Sequence, residues 1–281
     1  MHSSCLCGAV RWSTDADPVS LAHCHCGRCR KHHGTGFATY ALAPAAGFRI
    51  DGDDAVGAWS SSPGMARRFC QRCGSVVPLA PAPGTPFAML PAGSFDDATS
   101  LRPSIHMFVA SKAPWDEIAD ALPRFDAFPP GIDAAVHPDL PRAHAGPGLT
   151  GSCGCGAVAF ALLAEPFFAR HCHCGRCRKA RGAAHATNML NRASEIRWER
   201  GADRVATYKI PDARFFTQAF CDRCGGKVPR VDPGRDLCIT PMGSLDADPG
   251  IRPREHIFTA SRAEWFEIAD ALPQHAEGAP G

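Results

Sequence analysis

Apolar positions along the chain come in short runs closed off by turn residues. Ala9-Val10-Arg11-Trp12, Phe48-Arg49-Ile50 and Phe87-Ala88-Met89-Leu90 are bounded by Gly, Ser, Asp or Pro and read as strands. A helical spacing begins at Pro114, a favoured first-turn residue, where Trp115, Ile118 and Leu122 fall at i, i+3 and i+7 before Pro123. Trp265, Ile268, Leu272 and Pro273 repeat that pattern. The pattern predicts a mainly β architecture in which each domain carries one short C-terminal helix.

The repetition extends to the whole chain. Cys5-Leu6-Cys7-Gly8-Ala9-Val10 returns as Cys153-Gly154-Cys155-Gly156-Ala157-Val158, and His23 to Lys31 returns letter for letter as His171 to Lys179. Phe69-Cys70-Gln71-Arg72-Cys73-Gly74 returns as Phe220-Cys221-Asp222-Arg223-Cys224-Gly225. The stretch Ile105 to Ile118 matches Glu255 to Ile268, and the offset drifts only from 148 to 151. Two tandem copies, residues 1–126 and 149–281, flank a linker at 127–148 that holds five Pro and three Gly in 22 residues.

Composition narrows the partners. The 281 residues are 45% hydrophobic and 21% charged, with 27 Gly and 25 Pro against two Tyr, which suits many turns and argues against a helical bundle. Thirty Lys and Arg against 28 Asp and Glu leave +2, too little for a nucleic-acid or anionic-membrane footprint. No apolar run approaches the roughly 20 residues that span a bilayer, and the start lacks a secretory signal. The expected compartment is the cytoplasm, where thiols stay reduced.

Fifteen Cys therefore need an explanation other than disulfides. Seven recur in each copy as C-x-C, C-x-C-x-x-C and C-x-x-C, and Cys238 stands alone in an apolar run that reads as a buried strand. Close spacing suits tetrahedral zinc, which gathers several thiolates about 2.3 Å from one centre. C-x-C plus C-x-x-C supplies a closed set of four: Cys5, Cys7, Cys70 and Cys73, and again Cys153, Cys155, Cys221 and Cys224. Cys24, Cys26 and Cys29, repeated as Cys172, Cys174 and Cys177, supply only three ligands and leave a position open, as catalytic zinc sites do. The other reading is a second closed site completed by His25 or His33; an iron–sulfur cluster would need a remote fourth Cys.

Arg28, Arg30 and Lys31, with Arg176, Arg178 and Lys179, offset the negative charge of such a site. They can receive the carboxylates of an acidic ligand, or form a solvated basic turn. His23 and His25 recur as His171 and His173, and His106 as His256, whereas His32 and His33 have no counterparts. A His near zinc can relay a proton, orient a ligand or simply pack. His106 and His256 are candidate catalytic residues on that ground.

The order C-x-C-G, C-H-C-x-x-C-R, F-C-x-x-C-G and H-I/M-F-x-A-S-K/R-A-x-W resembles the glutathione-dependent formaldehyde-activating enzyme family, whose domain is shared with centromere protein V. The resemblance covers residues 4–124 and 152–273. It implies a zinc-stapled, mostly β fold of the Mss4-like (β-tent) type with two zinc ions per copy. It also implies S-(hydroxymethyl)glutathione synthase chemistry, a carbon–sulfur lyase, with glutathione as substrate at the three-Cys zinc. The partners are then a small-molecule thiol and an aldehyde, in a monomer whose copies pack as an internal pseudo-dimer. The alternative is a non-catalytic zinc-binding scaffold or ligand-binding module. Copy two departs at Lys179-Ala180-Arg181-Gly182, against Lys31-His32-His33-Gly34, and at His185 against Phe37.

Overall fold

The computed structural model describes residues 1–79, 81, 84–138, 140 and 148–279; residues 139 and 141–147 of the expected linker lie outside them. In each half a five-stranded sheet carries the chemistry. The strands of the first run in the order Arg124–Phe125, Pro103–Met107, Ser20–Cys24, Ala38–Pro44 and Phe87–Pro91. Those of the second run Arg230–Asp232, Leu237–Pro241, Ala186–Asn191, Phe168–Cys172 and His256–Ile257. A three-stranded and a two-stranded sheet accompany each. The apolar runs at Ala9, Phe48 and Phe87 each overlap a strand, and Cys238 is buried in Leu237–Pro241. No helix among the described residues is long and apolar enough to cross a membrane.

One register decides the layout of the site. Ser20–Cys24 pairs in parallel with Pro103–Met107, so His23 sits opposite His106 and Cys24 opposite Met107. Side chains alternate across a strand, which puts the two His on one face of the sheet and Cys24 and Met107 on the other. The second half repeats this with His171 opposite His256 and Cys172 opposite Ile257.

Among the described residues each half has one α-helix, but not at its C-terminal end. α1 spans Gly27–His33 and α2 spans Gly175–Arg181, both inside the C-x-C-x-x-C segment. Cys26 caps α1, its sulfur accepting from the Cys29 backbone, and Gly34 ends it at φ 72°. Cys174 and Gly182 do the same for α2. The expected helix from Pro114 is instead an irregular strap after a 3-10 turn at Val109–Ser111, and its twin follows a turn at Thr259–Ser261.

The strap's polar side chains satisfy backbone groups that a helix would have paired. Lys112 donates to the Asp116 carbonyl, Arg124 donates to the Ile118 and Asp120 carbonyls, and the Leu122 amide donates to the Asp120 carboxylate. The apolar residues do not share a local face either. Ala113 and Trp115 bury in the core of the second half with Phe160, Leu162 and Met189. Ala263 and Trp265 bury in the core of the first with Val10, Trp12 and Leu21.

This exchange belongs to an extensive junction between the halves. Lys31 Nζ donates to Ser152 O, Ser152 Oγ, Ser244 O and Asp246 Oδ1 at 2.9, 2.8, 3.2 and 2.5 Å. Lys179 Nζ mirrors it on Ser4 Oγ at 2.8 Å and Asp96 Oδ1 at 2.5 Å. Lys227, fully buried, donates to the carbonyls of both Gly74 and Gly225 at 2.6 Å. Backbones also meet directly. A Cβ on Gly93 would fall 2.1 Å from Ala183 O, and one on Gly243 2.4 Å from Thr35 N, so only glycine fits either place.

Candidate functional site

Four clusters of cysteine sulfurs form, each with all its ligand atoms within 4.8 Å of one another. Cys5, Cys7, Cys70 and Cys73 make one, and Cys153, Cys155, Cys221 and Cys224 its twin. Cys5 Sγ lies 3.5 Å from Cys7 Sγ, which lies 3.8 Å from Cys70 Sγ; the twin distances are 3.6 and 3.9 Å. A tetrahedron of sulfurs at zinc's bond length has edges of about 3.8 Å. The donor set and spacing fit zinc. Backbone amides support it, with Val10 N donating to Cys5 Sγ and Val158 N to Cys153 Sγ, both at 3.3 Å.

The other two clusters hold three sulfurs each: Cys24, Cys26 and Cys29, and Cys172, Cys174 and Cys177. Among the described residues no His, Asp or Glu joins either set. His25 and His33, the candidate fourth ligands, are engaged elsewhere: His25 Nε2 bonds His106 Nδ1 and His33 Nε2 bonds Tyr40 Oη, at 2.8 and 2.9 Å. His32 Nε2 faces the Arg68 carbonyl at 3.3 Å.

Cys26 and Cys174 are half-buried at the rim of their clusters, and their thiols are the acidic ones. Hydrogen bonds from Cys24 and Cys29 hold Cys26 well below the ordinary thiol range, and Arg67 adds to this. Cys174 is pushed down to about 3, chiefly by hydrogen bonds from Cys172 and Cys177. Around the first set pack Tyr40, Leu79, Met65, Met89, Met107 and Phe108. Phe108 and its twin Phe258 hold φ near +59° and +58°, a strained backbone for an aromatic residue.

The histidines occupy the opposite side of the sheet. They line a cavity of about 1040 Å³ that draws its walls from both halves, among them His23, His25, His106, His171, His185 and His256. The Asp120 carboxylate accepts from His106 Nε2 at 3.0 Å, so Nδ1 of His106 accepts from His25 Nε2 at 2.8 Å. His25 Nδ1 then faces the buried Asp116 carboxylate at 3.4 Å. The second half repeats the Asp270, His256 and His173 chain at 3.0 and 2.8 Å, with Phe266 where Asp116 stands in the first. Burial disfavours the charged form of three of them: His23 and His171 lie well below their ordinary range, and His173 falls to about 2.

The six basic candidates separate by position. Lys31 and Lys179 are committed to the junction. Arg28 donates to the carbonyls of Ser61 and Pro138, Arg30 to that of His25, and Arg178 to that of Ser261. Arg176 is exposed. His106 and His256 are brought beside His25 and His173, not beside the sulfurs.

Two kinds of residue were not among the sequence candidates. Asp120 and Asp270 stand in an I-A-D-A-L-P stretch common to both copies, a recurrence that the helical spacing obscured. Arg67 and Arg181, buried beside the three-sulfur sets, carry no such signal, because neither recurs at its equivalent position.

The family described as glutathione-dependent formaldehyde-activating enzyme matches residues 1–111 and again 148–261. A Halomonas elongata protein, provisionally named as such an enzyme, is 31% identical over 131 residues, covering 43% of this chain and 80% of that protein. A crystal structure of a Rhodobacter sphaeroides protein shares 30% identity over 38% of this chain and 93% of that one, with a TM-score of 0.28.

Proposed function

Because the chain belongs to the glutathione-dependent formaldehyde-activating enzyme family, we propose that it joins a thiol to a small aldehyde, with glutathione and formaldehyde the leading pair. This is the reaction of an S-(hydroxymethyl)glutathione synthase, a carbon–sulfur lyase in the formal direction. The sulfur adds to the carbonyl carbon, the C=O bond becomes a hydroxyl, and the thiol proton ends on that oxygen. No oxidant or reductant is consumed.

The observation that carries the reading is the pair of three-sulfur sets without a fourth protein ligand among the described residues, with half-buried Cys26 at the rim of the first and half-buried Cys174 and Cys177 at the rim of the second. Zinc bound there supplies Lewis acidity that favours the ionised thiol or polarises the carbonyl. Cys24, Cys26 and Cys29 hold it in the first half and Cys172, Cys174 and Cys177 in the second. The apolar wall of Leu79, Met65, Met89 and Phe108 excludes water from the sulfurs. Arg28 and Arg176, each two residues after a half-buried Cys, are the basic candidates for meeting the carboxylates of glutathione. Cys5, Cys7, Cys70, Cys73 and their twins serve as structural staples.

The same reading takes the chain as a cytoplasmic monomer with domains at 1–126 and 149–281 packed as an internal pseudo-dimer around the linker 127–148. Proton exchange NMR of formaldehyde and glutathione tests the activity. Zinc-loaded protein should speed interconversion of free and adduct signals, and Cys26→Ser with Cys174→Ser should abolish the effect. Unchanged exchange would leave the zinc scaffold as the function.

A further inference from the structure

One guanidinium is buried against each three-sulfur set, and the two come from different positions in the repeat. In the first half it is Arg67, from the strand Met65–Cys70, only 5% exposed, with Nη2 donating to Cys29 Sγ at 3.5 Å. Its equivalent in the second half is Gln218, whose Nε2 donates to the Ala180 carbonyl at 3.1 Å. There the guanidinium comes from Arg181 at the end of α2, 7% exposed, with Nη2 donating to Asn188 Oδ1 at 3.3 Å. The first-half equivalents of Arg181 and Asn188 are His33 and Tyr40, bonded to each other. The triplet His33, Tyr40 and Arg67 is thus replaced by Arg181, Asn188 and Gln218. Each triplet keeps one cation, on a different member.

Neither Arg has a carboxylate within ion-pair distance among the described residues. What stands beside them is sulfur: Arg67 Nη2 donates to Cys29 Sγ, and Arg181 borders one cavity with Cys177. Arg67 Nε and Arg181 Nη1 are buried without a hydrogen-bond partner among the described residues. An uncompensated buried cation is strongly destabilising, so each Arg needs a negative partner, and a metal–thiolate set beside it supplies one. Three thiolates and one divalent ion leave a charge of −1, and one guanidinium brings the site to zero. In the second half a cavity of about 120 Å³ bordered by Cys177, Arg181, Asn188 and Gln218 leaves room beside the sulfurs.

We propose that Arg67 and Arg181 are the counter-charges of the two three-thiolate zinc sets, each offsetting the net negative charge of its loaded set and able to receive one further anionic ligand. As positioning residues they act through the sulfurs. The charge requirement is fixed and its address in the sequence is not, so the cation has changed places within the triplet between the copies. The inference rests on reading these sets as zinc sites and is independent of which thiol or aldehyde is used.

Zinc affinity of the full-length protein, measured by competition with a chromophoric chelator, tests it. Arg67→Gln should weaken zinc binding at the first three-sulfur set at least tenfold while the four-sulfur sets keep their metal. Adding His33→Arg, which moves the cation to the position it holds in the second half, should restore affinity to within threefold. Arg181→His should weaken the second set alike, and adding Gln218→Arg should restore it. A folded Arg67→Gln protein with unchanged affinity would overturn the proposal, as would double variants no better than the singles. If Arg67→Gln does not fold, Arg67→Lys decides: retained zinc supports the counter-charge, and loss of zinc or fold refutes it. Zinc affinity that follows the relocated charge in a protein indifferent to glutathione would sink the substrate reading alone.

Discussion

Lys31 and Asp246 lie 215 residues apart in sequence and 2.5 Å apart in space, both almost wholly buried at the junction of the halves. Their pseudo-symmetric counterparts, Lys179 and Asp96, make the same contact at 2.5 Å but remain partly open to solvent. One repeat has therefore placed the same ion pair in two dielectric environments, and the two should differ in worth.

Lys31→Met leaves Asp246 buried without its cation and should cost about 3–5 kcal/mol. Lys179→Met should cost no more than about 1 kcal/mol, since water screens Asp96. Urea unfolding midpoints compare them, and equal losses would contradict the difference in burial.

Elemental analysis of reduced, metal-replete protein should find four zinc ions per chain, one for each sulfur cluster. A ceiling of two would mean that the three-sulfur sets hold none.

The staples should govern folding more than the open sets do. Cys70 is fully buried and joins segments far apart in the chain, so Cys70→Ser should unfold the first half or drive it to aggregate. Cys26, at the rim, should tolerate Ser with the fold intact and its zinc lost. Circular dichroism melts that rank the two substitutions equally would remove the distinction.

Trp115 sits at 3% exposure in the other half's core, so Trp115→Ala should destabilise that half by about 3–5 kcal/mol. Hydrogen exchange reads the effect by location. Lost protection at Phe160 and Met189, more than at Leu21 and Leu90, is the expected pattern.

His185 is pushed down to about 3, first by burial and then by His256, against about 6.5 for a free imidazole. Between those values the unfolded chain binds a proton that the folded chain refuses. This contribution to stability is whole above about pH 6.5 and is lost as pH falls, by about 1.4 kcal/mol per pH unit. His185→Phe, which reproduces the first half's Phe37, should flatten the decline between pH 6.5 and 5.5 by about that slope. Urea midpoints at the two pH values measure it.

Much of the chemistry was legible from residue order alone. Candidate metal ligands such as Cys5, Cys7, Cys24 and Cys26 are local pairs whose spacing limits how they can be used, and a duplicated chain states each pattern twice. The short strands at Ala9, Phe48 and Phe87 followed from the same local bounds. The helix was misplaced for a related reason. Seven residues are too few for a periodic apolar face, and α1 owes its ends to a Cys sulfur and a glycine. Trp115, Ile118 and Leu122 carried a helical spacing but answer to a partner in the other half.

The sequence by itself determined the duplication, the mainly β class, the four sulfur clusters and the family. Only the tertiary structure decided what lies around them. The parallel register of His23 with His106 turns the histidines to the face opposite the sulfurs, and pairing between distant strands leaves no local trace. Likewise Lys31 and Lys179, which look like ligand contacts beside their cysteines, find carboxylates across the junction. Arg67 and Arg181 serve equivalent sites from unequal positions, because a buried charge must be balanced in space and the chain is free to supply the balance from any strand or helix that reaches it.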